Sequence, residues 1–148
     1  MTNPLVETVQ EELGRVGIRG AILIEERYDP ESFGNAEAVY EIGGLRFRFV
    51  RDRGQDGVDI IVPGSSDSFV FEDLSVAMGW QELNDIVNTD AEIDFGKPPS
   101  GPIPLRVVLE YMRHGMSDLQ AAFSSPNTSS TLKKLRDAQA KRTKTMFG

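Results

Sequence analysis

The chain has 148 residues, a net charge of −7, 39% hydrophobic and 26% charged residues, and no cysteine. That length suits one domain with a real core, and the balance of residues is that of a soluble globular protein. Without cysteine there are no disulfides, no thiol nucleophile and no Cys-ligated zinc; with no apolar run of membrane-spanning length and no signal-peptide pattern, a cytoplasmic location is expected. The charge is unevenly spread: residues 133–148 hold six Lys/Arg and one acid, whereas residues 1–132 hold ten Lys/Arg and twenty-two acids. An acidic body repels nucleic acid and anionic lipid and attracts basic partners.

In chain order, Asn3-Pro4 opens a helix, with Asn3 as cap and Pro4 at the first helical position. Leu5, Val9, Leu13 and Val16 recur at helical spacing, and Gly14 or Gly17 ends the run. Ala21 to Ile24 reads as a short strand leading into Glu25-Glu26-Arg27, and Tyr28 to Asn35 as a turn-rich connection. Two hairpins follow over residues 36–62. Gly43-Gly44 between alternating runs predicts a two-residue turn, which sets Ile42 opposite Leu45, Glu41 opposite Arg46 and Tyr40 opposite Phe47. Alternation then gathers Ala38, Tyr40, Ile42, Leu45, Phe47 and Phe49 on the core face. Arg53 to Gly57 reads as a longer loop with two glycines, and Val58 to Val62 as the next strand, with Asp59 pointing away from the core.

Phe69 to Phe71 fits either a further strand or a lead-in to a helix running to Met78, which Gly79 stops. Trp80, the sole tryptophan, reads as a buried anchor between helix and sheet. Residues 81–101 are the least regular part, and a long irregular stretch in a compact domain is often functional. The longest helix is expected over Pro104 to Phe123. Its stripe is Leu105, Val108, Leu109, Met112, Met116, Leu119 and Phe123, and Gly115 marks a kink or a close backbone approach. A final basic helix, Leu132 to about Arg142, has only Leu135 and Ala138 beside Leu132 as an apolar face. It is expected to be the least stable helix, and residues 133–148 to form a basic tail at the end of the single domain. The fold class is thus α+β: an antiparallel sheet of about four strands packed against N-terminal and C-terminal helices.

Motifs for catalysis are weak. Asp90, Glu92 and Asp94 alternate like calcium ligands, but the following glycine is one position late and the twelfth residue is Gly101, where the EF-hand needs glutamate. The series therefore reads as a solvated acidic loop. His114, the sole histidine, lies off the apolar stripe, and no glycine-flanked nucleophilic serine accompanies it. Arg46, Arg48, Arg51 and Arg53 alternate with Phe47 and Phe49, yet a stacking platform for RNA needs arginine and phenylalanine on one face, and alternation separates them. No catalytic residue, cofactor or metal is expected.

The N-terminal helix, the segment FGNAEAVYEIGGLRFRFVRDRGQDGVDI over residues 33–60 and the helical C-terminal half together resemble small immunity proteins of bacterial polymorphic-toxin and contact-dependent growth inhibition systems. The layout of about the first 125 residues takes part. The resemblance implies a cytoplasmic, acidic, non-enzymatic protein that binds one cognate protein toxin. With the charge layout, it directs attention to two acidic patches: Asp85, Asp90, Glu92 and Asp94 in the irregular segment, and Glu25, Glu26, Asp29 and Glu31 around the first strand. Two other classes stay open: a metal-dependent hydrolase using Asp90, Glu92 and Asp94, and a nucleic-acid-associated regulatory protein using the basic tail. Neither a membrane nor a nucleic acid is the expected partner.

Overall fold

A computed structural model describes residues 2–83 and 103–147. Helix α1 spans Pro4–Val16, and Asn3 caps it by accepting from the Leu5 N–H at 3.0 Å. The cap is itself buried, and its Nδ2 donates to the Arg27 carbonyl at 3.2 Å. One side chain therefore starts the helix and ties it to the sheet. Gly17, at φ 85°, supplies the left-handed residue that ends it. Leu5, Val9, Leu13 and Val16 are all buried.

Five antiparallel strands follow in simple meander order: β1 Ile22–Asp29, β2 Asn35–Ile42, β3 Leu45–Asp52, β4 Gln55–Ile61 and β5 Ser68–Val70. The β2–β3 register is the one the Gly43-Gly44 turn requires, with Ile42 opposite Leu45 and Tyr40 opposite Phe47. Both glycines have positive φ, 62° and 82°, as a type I′ turn demands. Two boundaries differ from the sequence expectation. The first strand runs on through Glu25, Glu26 and Arg27 to Asp29, because an edge strand tolerates charge on both faces. The loop expected over Arg53 to Gly57 is instead a two-residue turn, Arg53-Gly54, closed by Asp52 opposite Gln55. A bidentate ion pair fastens it: Arg51 Nε and Nη2 donate to Asp56 at 2.7 and 2.9 Å. Gly57 then sits within β4, opposite Val50.

Phe69 to Phe71 serves both expected purposes, since β5 ends at Val70 and helix α2, Phe71–Ala77, begins at once. A 3₁₀ turn, Trp80–Leu83, follows Gly79. Helix α3 spans Leu105–Ala122 and buries Leu105, Val108, Leu109, Met112 and Leu119, together with Val107 and Tyr111. Helix α4, Thr128–Phe147, is longer than its apolar face suggested. Leu135 is fully buried, Thr131 and Ala138 nearly so, and α4 packs against α2.

All the helices that contact the sheet pack on one of its faces. That face carries Ala38, Tyr40 and Ile42 from β2, Leu45, Phe47 and Phe49 from β3, Val58 and Ile60 from β4, and Phe69 from β5. Trp80 is buried as expected, between Phe71 at 5.8 Å and Tyr111 at 6.3 Å between ring centroids. Gly115 is the close approach: a Cβ there would lie 2.5 Å from Trp80 Nε1.

Candidate partner-binding surface

Among the described residues, strand order leaves β1 with a single neighbour, so one full edge of the sheet has no strand paired to its backbone groups. The β2–β3 turn decides which groups those are. Its closing hydrogen bonds make Ile42–Leu45 a bonded pair, so Glu41, Val39 and Glu37 turn their backbone groups toward β1. Their partners Ile22, Glu25 and Arg27 are bonded in return. Leu23, Glu26 and Tyr28 consequently face the free edge with their backbone groups. An irregularity between Leu23 and Glu25 bulges the strand at Ile24.

The same register splits the β1 acids. Glu25, Arg27 and Asp29 lie on the sheet face away from the helices; Glu26 lies on the helix side, where its charge helps hold the Tyr40 hydroxyl protonated, after the larger effect of burial. Glu25, Glu26, Asp29 and Glu31 are all exposed. They line one edge on both of its sides and do not form a single-face cluster. Arg27, between them, pairs with Glu37 at 3.2 Å. Two large apolar side chains stand exposed along the same strand, Ile22 at 57% and Ile24 at 40%. The other predicted patch, Asp85, Asp90, Glu92 and Asp94, lies outside the described residues.

The outward sheet face mixes charge with apolar residues. Across one row run Glu25, Val39, Arg48, Asp59 and Val70. Burial raises the Asp59 carboxyl above the usual carboxylate range; Arg48, directly opposite, pulls it back and Glu37 adds to the rise. Arg46 faces Glu41 across the β2–β3 ladder, and Arg48 and Arg46 stand on the face opposite Phe47 and Phe49, as alternation requires.

Remaining candidates for chemistry separate in space. His114 Nε2 lies 3.2 Å from Arg113 and 3.6 Å from Glu110, on the solvent side of α3. Among the described residues no group of three or more His, Asp or Glu side chains is placed to hold a metal ion. Nor is any described helix long and apolar enough to cross a membrane. The basic tail meets body acids at two points: Arg142 grips the buried Asp73 at 2.9 and 3.2 Å, and the exposed Arg136 approaches the exposed Asp67 at 3.7 Å. Glu12 accepts from Arg106 at 2.8 Å, which holds its carboxyl below the usual range and links α1 to α3.

Sequence reasoning missed one feature of this surface, the stacking of Phe33 and Arg53 at the tips of neighbouring turns. The Arg53 guanidinium lies 5.6 Å from the Phe33 ring centre. A glycine following each residue, Gly34 and Gly54, was the available signal. No family model, curated protein or solved structure matches this chain.

Proposed function

We propose that this protein is a non-enzymatic protein-binding inhibitor, an immunity protein that neutralises a basic, nuclease-like bacterial toxin by covering it with an acidic surface. The observation that carries this reading is the outer edge of β1, which no other strand among the described residues pairs with: Glu25 and Glu26 stand exposed beside exposed Ile22 and Ile24, and Asp29 and Glu31 are exposed toward the β1–β2 turn. Exposed apolar side chains beside exposed acids, on a surface that no described element covers, are what a recognition site needs: burial for affinity, acids for steering and register. The pairing of Arg142 with the buried Asp73 weighs against nucleic-acid binding by that part of the tail.

Changing Glu25 and Glu26 together to Lys tests the assignment. The partner in the assay is a basic protein domain encoded beside this chain's gene, sought as the cognate toxin, and the readout is isothermal calorimetry. Affinity is expected to fall on the order of tenfold or more, since like charges then meet at the contact. Unaltered affinity would remove β1 from the interface. If no such domain binds the unmutated chain, the inhibitor reading itself fails.

A further inference from the structure

At the end of the sheet where β1 turns into β2, Ser32-Phe33-Gly34-Asn35 forms a tight turn, with the Asn35 N–H donating to the Ser32 carbonyl at 3.0 Å. Phe33 and Gly34 both have positive φ, 58° and 71°. Beside it the β3–β4 turn repeats the geometry: Arg53 at 53° and Gly54 at 81°. The two turns are tied together, since the Arg53 N–H donates to Asn35 Oδ1 at 2.9 Å. Both are therefore type I′ turns, whose first central position suits Asn, Asp or Gly. Here that position holds Phe in one turn and Arg in the other.

Both choices work against the isolated fold. A bulky side chain in the left-handed region is strained. Phe33 is also 78% exposed, more than Ile22, Ile24 or Val76, the other exposed large apolar side chains among the described residues. The stack with Arg53 shields one side of the ring and pre-orders it, and aromatic and arginine side chains held rigid are the anchors that interfaces use most. Asp29, Glu31 and Asp52 are exposed around the pair, leaving the tip acidic in spite of Arg53.

We infer that Phe33, stacked on Arg53, is the anchor by which this protein seats in an apolar pocket rimmed with Lys or Arg on its basic protein partner. The inference rests on the inhibitor reading above and extends the contact from the β1 edge to the end of the sheet. A second copy of this chain is a poor occupant: it brings the same acids to the same place, on a body of net charge −7.

The test uses the full chain with the photo-crosslinking residue p-benzoylphenylalanine at position 33, expressed and irradiated in its own host. The same residue at Ser129, on α4, is the control. The crosslinked protein is then purified and titrated against the unmutated chain, Phe33→Asn, Arg53→Asn and the Glu25→Lys/Glu26→Lys pair. Asparagine accepts the left-handed conformation, so Phe33→Asn is expected to leave Tm unchanged or raise it by about 3 °C. Its Kd is expected to weaken at least tenfold, with a smaller loss for Arg53→Asn. A crosslink no stronger than at Ser129, a crosslink to a second copy, or a Kd indifferent to Phe33→Asn overturns the anchor. If Phe33→Asn binds normally while the lysine pair does not, the anchor fails and the inhibitor reading stands. If the captured partner is acidic or a nucleic acid, both fail.

Discussion

Gly115 shows how a residue that weakens a helix can hold a fold together. Glycine in a helix interior costs about 1 kcal/mol relative to alanine, yet here it lets the Trp80 ring lie directly on the backbone of α3. Gly115→Ala should therefore destabilise in spite of the better helix propensity. The displaced tryptophan is expected to cost about 1–3 kcal/mol, the usual penalty for overpacking, measured by urea denaturation. Asp59 carries a different kind of strain. Its carboxyl is raised by burial, so the native state binds its proton more readily than the unfolded chain does. The charged form thus costs stability above the native value, and the cost fades as pH falls through it. Asp59→Asn should stabilise the protein at neutral pH, and the advantage should shrink toward about pH 4. A gain that stays constant over that range would exclude burial of the charge as its cause. The glycine's role was half legible: Gly115 marked a kink or close approach, but its neighbour Trp80 stands 35 positions away in the chain.

Among the elements, α4 departs furthest from its sequence. Its apolar face is narrow, and a basic terminal helix with three apolar contacts is expected to fray. Leu135 anchors its middle, and the Arg142–Asp73 pair fixes the later turns, with the aspartate only 2% exposed. That carboxylate raises the already high pKa of the guanidinium further, chiefly through their hydrogen bond. Arg142→Ala would leave a buried carboxylate without its bidentate partner and should cost about 3 kcal/mol in denaturant unfolding. The double change Arg142→Met with Asp73→Leu should recover most of the loss, because it removes both charges together. If the double variant is as unstable as the single one, packing by the arginine stem and not the buried charge sets the stability of α4. Neither the pairing nor the length of α4 could be read locally, since Asp73 and Arg142 sit on different helices. The central hairpin was the opposite case: two glycines and six alternating apolar residues specified its register completely.

For the whole molecule, the layout of charge leads to a kinetic expectation. With Arg142 paired to the buried Asp73, the exposed acids Glu25, Glu26, Asp29, Glu31 and Asp52 lie along the strand and turns where Ile22, Ile24 and Phe33 are exposed. Association with a basic partner should be fast at low salt and slow steeply as ionic strength rises, while dissociation changes little. Stopped-flow measurement across a salt series checks this; an association rate indifferent to salt would mean that the acids do not steer. The α+β class, the α1 cap, the β2–β3 register and the stripe of α3 were determined by sequence alone, because caps, two-residue turns and hydrophobic periodicity act between near neighbours. The reach of β1 through its charged residues, the type I′ turn at Arg53, the seating of Trp80 on Gly115 and the stack of Phe33 on Arg53 were decided by tertiary structure. Trp80 on Gly115 and Phe33 on Arg53 join residues well separated in the chain, the Arg53 turn is tied to Asn35 18 positions away, and β1 is held by its pairing with β2; in each, packing and cross-strand pairing outweigh local preference.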